Sequence, residues 1–193
     1  MRSITTKTAW LPLLATTLLT MGFAPSALAA SAQEIDIKVD AALEKFRKDV
    51  GGANEFLQAA KGVLVFPSVI KAGIGIGGEY GEGSLRIGGK TVAYYNTASA
   101  SIGFQLGAQS MTVIMVFMQQ EALTNFRDSQ GWEAGVDGSV ALIKLGAGGS
   151  IDTNNIRDPI VGFVFGNKGL MYNLSLEGTK ITKLDKSTSD ADE

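Results

Sequence analysis

Histidine and cysteine are both absent from the 193 residues. Without them no Ser-His-Asp or Cys-His nucleophile can be assembled, and no His/Cys metal site. No disulfide framework can form, and no thiol is there to carry a lipid anchor. A basic surplus is missing too, since 17 Lys+Arg face 19 Asp+Glu. That balance argues against a nucleic-acid binder, which normally carries excess positive charge. The remaining chemistry would have to rest on carboxylate, lysine or tyrosine. Glu79, Glu82, Glu121, Glu133, Asp137 and Glu177 are scattered, and no spacing forces a pair of them into one site. The reading is a chain that is not an enzyme, with no cofactor and no metal.

What is present begins with an address. Arg2 and Lys7 precede an apolar stretch at residues 9–23, followed by Pro25 and Ala27-Leu28-Ala29. This order matches a secretory signal peptide over residues 1–29, cleaved at Ala29–Ala30. A spanning helix would need roughly 20 uninterrupted apolar residues, and Pro12 breaks this shorter run. The expected location is therefore periplasmic or secreted. Cleavage removes two basic residues and no acids, so 15 basic residues remain against the unchanged 19 acidic ones. A chain of the remaining length can bury roughly 70% of its unfolded surface in one domain, expected at residues 34–184, with an acidic disordered tail at 185–193.

Periodicity predicts helices at residues 34–50, 54–60 and 119–128. In the first, Ile35, Val39, Leu43, Phe46 and Val50 recur every three or four positions, and Gly51-Gly52 stops the pattern. Strand patterns dominate elsewhere. Val63-Leu64-Val65-Phe66 is a short apolar run closed by Pro67. Gly88-Gly89 sits between two strands as a two-residue hairpin signal. Residues 98–108 alternate apolar and small polar, and residues 111–118 are nearly continuously apolar, as in a central strand. Alternation at residues 134–142 and 170–176, an apolar strand at 160–165 and a last strand at 179–184 complete some eight to ten short strands. The expected class is α+β, a strongly bent antiparallel sheet or partial β-barrel packed with a few helices. Six glycines between Gly73 and Gly83 suit such bending.

Three motifs lose to plainer readings. Gly73-Ile74-Gly75-Ile76-Gly77-Gly78 satisfies G-x-G-x-x-G, but Glu79-Tyr80-Gly81-Glu82-Gly83 cannot open the helix a dinucleotide needs, so a bent strand is expected. Residues 152–158 fail calcium-loop spacing at Ile156. Asn173-Leu174-Ser175 is a sequon inside an expected strand. The basic residues offer a candidate surface: Lys45, Arg47 and Lys48 end the first helix, Lys61 and Lys71 flank the first strand, and Arg86 lies on the hairpin. Each such residue held near an anionic membrane contributes roughly 1 kcal/mol. These six are the candidate lipid-binding residues.

A resemblance gathers these features. The segment Ala60-Lys61-Gly62-Val63-Leu64-Val65-Phe66-Pro67-Ser68-Val69-Ile70-Lys71-Ala72-Gly73, with the Gly-Gly-Glu-Tyr-Gly-Glu-Gly run after it, resembles the opening signature of SYLF domains. Gly169-Leu170-Met171-Tyr172-Asn173-Leu174-Ser175-Leu176-Glu177-Gly178-Thr179-Lys180-Ile181 is similar to their closing signature. The resemblance spans about residues 35–184. It implies lipid binding, since eukaryotic SYLF proteins bind phosphoinositides and some fungal members bind actin. Those proteins use an amphipathic N-terminal segment for membrane contact. Here the signal segment stands in that place, and residues 34–50 carry four basic against five acidic residues. Export argues against actin as a partner. The shared motifs are glycine and apolar framework and carry over no ligand-binding residue. The expected partner is a phospholipid or another amphiphile at a membrane surface. The alternatives are a small eight-stranded outer-membrane barrel and an envelope structural or interaction protein.

Overall fold

Ser31 starts the first helix. Its hydroxyl accepts the Glu34 backbone N–H at 3.1 Å, the geometry of an S-x-x-E cap, and α1 then runs over Ala32–Asp49. The computed structural model describes residues 30–143, 157–166, 169–170 and 176–186. The expected signal peptide, most of the calcium-like loop and Asn173 lie outside the described residues. α1 buries Ile35, Val39, Leu43 and Phe46, the stripe read from the sequence. Gly52, at φ 87°, turns the chain into α2 (Ala53–Ala59).

The next 56 or so positions make one object where the sequence suggested several. β1 (Gly62–Ile87) and β2 (Lys90–Phe117) are 26 and 28 residues long and pair antiparallel from end to end. Gly88 and Gly89 join them with φ 58° and 78°, the double positive φ of a type I′ turn. Pro67, read as the end of a strand, sits instead in a register shift between Phe66 and Val69. A bulge on an edge strand tolerates the missing N–H, so the strand continues past it. The G-x-G-x-x-G segment lies within β1, as the bent-strand reading expects.

This ribbon is folded over. Lys71 and Glu79 would lie about 26 Å apart in a straight strand, yet Lys71 Nζ meets Glu79 Oε1 at 2.6 Å. Further along, Gly83 abuts Val65 and Gly81 abuts Ser68, so closely that an added Cβ would stand 2.0 and 2.8 Å from their carbonyl oxygens. The bend falls at the glycine cluster, where the register also shifts between Gly73 and Gly75. The result is a strongly curled half-barrel whose inner face is shared by both arms of the ribbon.

The remaining strands extend each arm separately. β3 (Trp132–Glu133) pairs with β7 (Lys180–Leu184), which pairs with β2 at Tyr94–Ala98. β5 (Ile160–Gly166) pairs with β2 at Met111–Phe117. β4 (Ala141–Leu142) runs parallel to β5, and β6 (Gly169–Leu170) is antiparallel to it. Among the described residues seven strands thus form one sheet, antiparallel except at β4. The alternation at residues 134–142 is a correction: only Ala141–Leu142 is strand, and the chain turns at Gly135 and bridges Ala134 to Gly138.

Two apolar cores result. The inner face holds Leu64, Phe66, Leu85, Tyr95, Met115 and Phe117, closed by Leu123 and Phe126 of α3 (Gln120–Asp128) and by Trp132. The outer face holds Val63, Val65, Ile114, Val116, Val161 and Phe163 under α1 and α2. Phe46 and Phe56 reach Phe163 at ring-centroid distances of 4.7 and 5.8 Å. Residues 113–118 are buried throughout, as expected for a strand covered on both sides.

Candidate ligand groove

α1 lies across both arms of the ribbon. Phe46 in its C-terminal half packs on Phe163 of β5, and its N-terminal half is pinned to the hairpin by one carboxylate. Asp36 Oδ1 accepts Thr91 Oγ1 at 2.7 Å, and its Oδ2 accepts the Tyr94 hydroxyl at 2.9 Å. Arg86 Nη2 reaches the Asp36 backbone carbonyl at 3.3 Å and Asp40 Oδ1 at 2.9 Å. Such a fully engaged, partly buried carboxylate joins elements 50 or more residues apart in sequence.

Burial, and then the hydrogen bond to Asp36, push the Tyr94 hydroxyl up to about 12. The folded state therefore holds this proton more tightly than the unfolded chain does. The associated stability is complete below pH 10 and is lost as pH rises from 10 towards 12. Ultraviolet titration of phenolate should show Tyr94 as the late-ionising tyrosine, assigned by its loss in Tyr94→Phe. In Asp36→Asn that ionisation should move down while staying above 10, because burial persists. An unmoved titration in Asp36→Asn would remove Asp36 as the cause.

Beside this pin, α1, α2 and the hairpin enclose a groove of about 580 Å³. Leu43 and Val63 are buried in it and Leu57 and Ala60 half-buried, which gives an apolar floor. Asp40, Glu44, Arg47 and Arg86 supply its charged side chains. A volume of this size, mixed apolar and polar, is that of a small-molecule site. Among the described residues no cluster of three or more Asp, Glu, His or Cys could hold a metal ion.

The six basic residues singled out in the sequence do not converge on one surface. Arg47 and Arg86 line the groove. Lys45 is exposed and ion-paired to Asp49 one turn on, and Lys48 and Lys61 are exposed. Lys71 is turned to the inside of the bend, 16% exposed and paired with Glu79. Arg86 is 13% exposed and committed to Asp36 and Asp40. Neither Lys71 nor Arg86 is therefore a free surface cation. Sequence reasoning missed Asp36, Asp40, Glu44 and Leu57. The available signal was an acidic pair at i and i+4, Asp36 and Asp40, each following a residue of the apolar stripe.

Lys186, the last described residue, is 12% exposed, lies 3.1 Å from Glu82 Oε2, and donates to the Ala30 carbonyl at 2.6 Å. The chain's described ends are thereby held together.

A curled half-barrel with a helix strapped over its outer face and a mixed groove beside that helix makes this a domain of α+β class. Residues 98–191 match the model of the family described as Ysc84, Las17-binding protein actin regulator. This match is consistent with the SYLF-domain resemblance read from the sequence. A search of the curated proteins found no match.

Proposed function

We propose that this chain is an exported, non-catalytic lipid-binding protein that acts at a membrane surface, in the periplasm or outside the cell. The observation that carries the reading is the groove under α1, whose apolar floor and charged rim suit an amphiphile with a polar head. The match of residues 98–191 to the SYLF-type family model supports it, and so does the signal-like pattern of residues 1–29. The actin-regulator wording describes the family, and export would separate this chain from actin. Phosphoinositide-type and other phospholipid headgroups are both accommodated in class by an Arg-bearing groove.

The barrel alternative has less support. A bilayer-spanning barrel turns an apolar outer band to lipid, whereas here α1 and α2 cover Val63, Val65, Val116 and Phe163 on the outer face. No described helix is long and apolar enough to cross a membrane. Liposome sedimentation of the processed protein tests the reading. Retention on phospholipid vesicles, extractable without detergent, is expected. Failure to sediment with both anionic and neutral vesicles would end it. Lys71→Ala should leave sedimentation unchanged while lowering the melting temperature, because its charge is spent on Glu79.

A further inference from the structure

The charges in the groove are balanced, and that balance is informative. Two carboxylates, Asp40 and Glu44, share it with two guanidinium groups, Arg47 and Arg86. Arg86 is already shared between Asp40 at 2.9 Å and Asp36 at 3.4 Å. This leaves Glu44 and Arg47, one negative and one positive, exposed on the same groove-facing side of α1 at i and i+3. Neither has an ion pair among the described residues. A polyanionic headgroup would gain one cation and meet two carboxylates. A neutral chain would gain only the floor.

We infer that the groove selects a zwitterionic headgroup, a phosphate ester bearing a primary ammonium, as in an ethanolamine-type phospholipid. This rests on the lipid-binding reading and sharpens it. The phosphate lies against Arg47, which offers a planar set of donors for its oxygens. The ammonium lies against Glu44, where three N–H donors meet a carboxylate that accepts only. The proximal acyl carbons cover Leu43, Leu57, Ala60 and Val63. The apolar floor is what commits the site to a lipid over a free phosphate ester. A quaternary ammonium fits the same charge but lacks the N–H donors, so a choline headgroup binds more weakly.

Flotation with the processed protein at near-physiological salt tests this. Vesicles of phosphatidylcholine alone are compared with vesicles carrying added phosphatidylethanolamine, phosphatidylglycerol or a phosphoinositide. Ethanolamine vesicles are expected to retain the protein best, by up to roughly fivefold, the upper end of the range of one exposed ion pair. Glu44→Lys should abolish that preference and raise binding to phosphatidylglycerol, and Glu44→Gln should abolish it without the gain. Glu44 is exposed, and unchanged thermal melting of both variants will confirm folding. Better binding of the wild type to phosphatidylglycerol or phosphoinositide than to ethanolamine lipid would overturn the headgroup inference and leave the lipid reading standing. No retention on any vesicle would overturn both. Full displacement by free O-phosphoethanolamine at matched concentration would assign the groove to a soluble ester and overturn the lipid assignment.

Discussion

Alanine in place of Gly83 is expected to destabilise the protein by about 3 kcal/mol or more, and valine to prevent folding. An added Cβ there would stand 2.0 Å from the Val65 carbonyl oxygen and 2.8 Å from both the Val65 carbonyl carbon and Phe66 Cδ1. Two of these three atoms belong to backbone in the opposing arm of the folded ribbon, so no rotamer change can make room. Overpacking a core with mobile side chains costs about 1–3 kcal/mol, and here the arms themselves must part. Against a typical total stability of about 5–15 kcal/mol that is a large fraction. Gly78→Ala is the internal control. Its Cβ would sit 3.5 Å from the Ser99 carbonyl oxygen, an ordinary contact, and its smaller unfolded-state entropy even favours folding slightly. Urea unfolding of the two variants decides the matter. Equal midpoints would show that the arms are not in contact at Gly83.

Phe163→Ala is the second large effect, at about 3–5 kcal/mol. The Phe163 ring is fully buried on the outer face of β5 and packs on Phe46 of α1 and Phe56 of α2. Removing it leaves a void under both helices at once, and α1 cannot collapse into it while Asp36 holds it to the hairpin. The inner core, organised around Phe126 and its contacts with Tyr95, Phe117 and Trp132, lies across the sheet. Hydrogen exchange should therefore rise first in α1 and α2 and later in the β1–β2 ribbon. A loss below about 1 kcal/mol, or uniform exchange, would show that the helices are not secured through this ring.

The parts of the fold that depend on neighbours in sequence were legible. The stripe of Ile35, Val39, Leu43 and Phe46 placed α1 because a 3.6-residue period is a local property. The Gly88-Gly89 turn followed from the need for positive φ at both positions. The nearly continuous apolar run of residues 111–118 announced a strand covered on both faces. Pro67 misled, since a proline within an apolar run reads as an end unless a bulge is known to receive it. Residues 134–142 misled as well: Ala134, Val140 and Leu142 pack against the inner core from a turning chain, and their alternation imitates a strand.

The sequence alone settled the chemistry that is excluded, through the absence of histidine and cysteine, and the local elements together with the SYLF resemblance. It could not settle which charges remain available to a ligand. Lys71 meets Glu79 only because the ribbon folds at its glycines, and Arg86 meets Asp36 and Asp40 only because α1 crosses the hairpin. Such pairings depend on through-space distance, and a charge counted along the chain has no address until the backbone has bent. The groove, with Glu44 and Arg47 left over, belongs to the tertiary structure for the same reason.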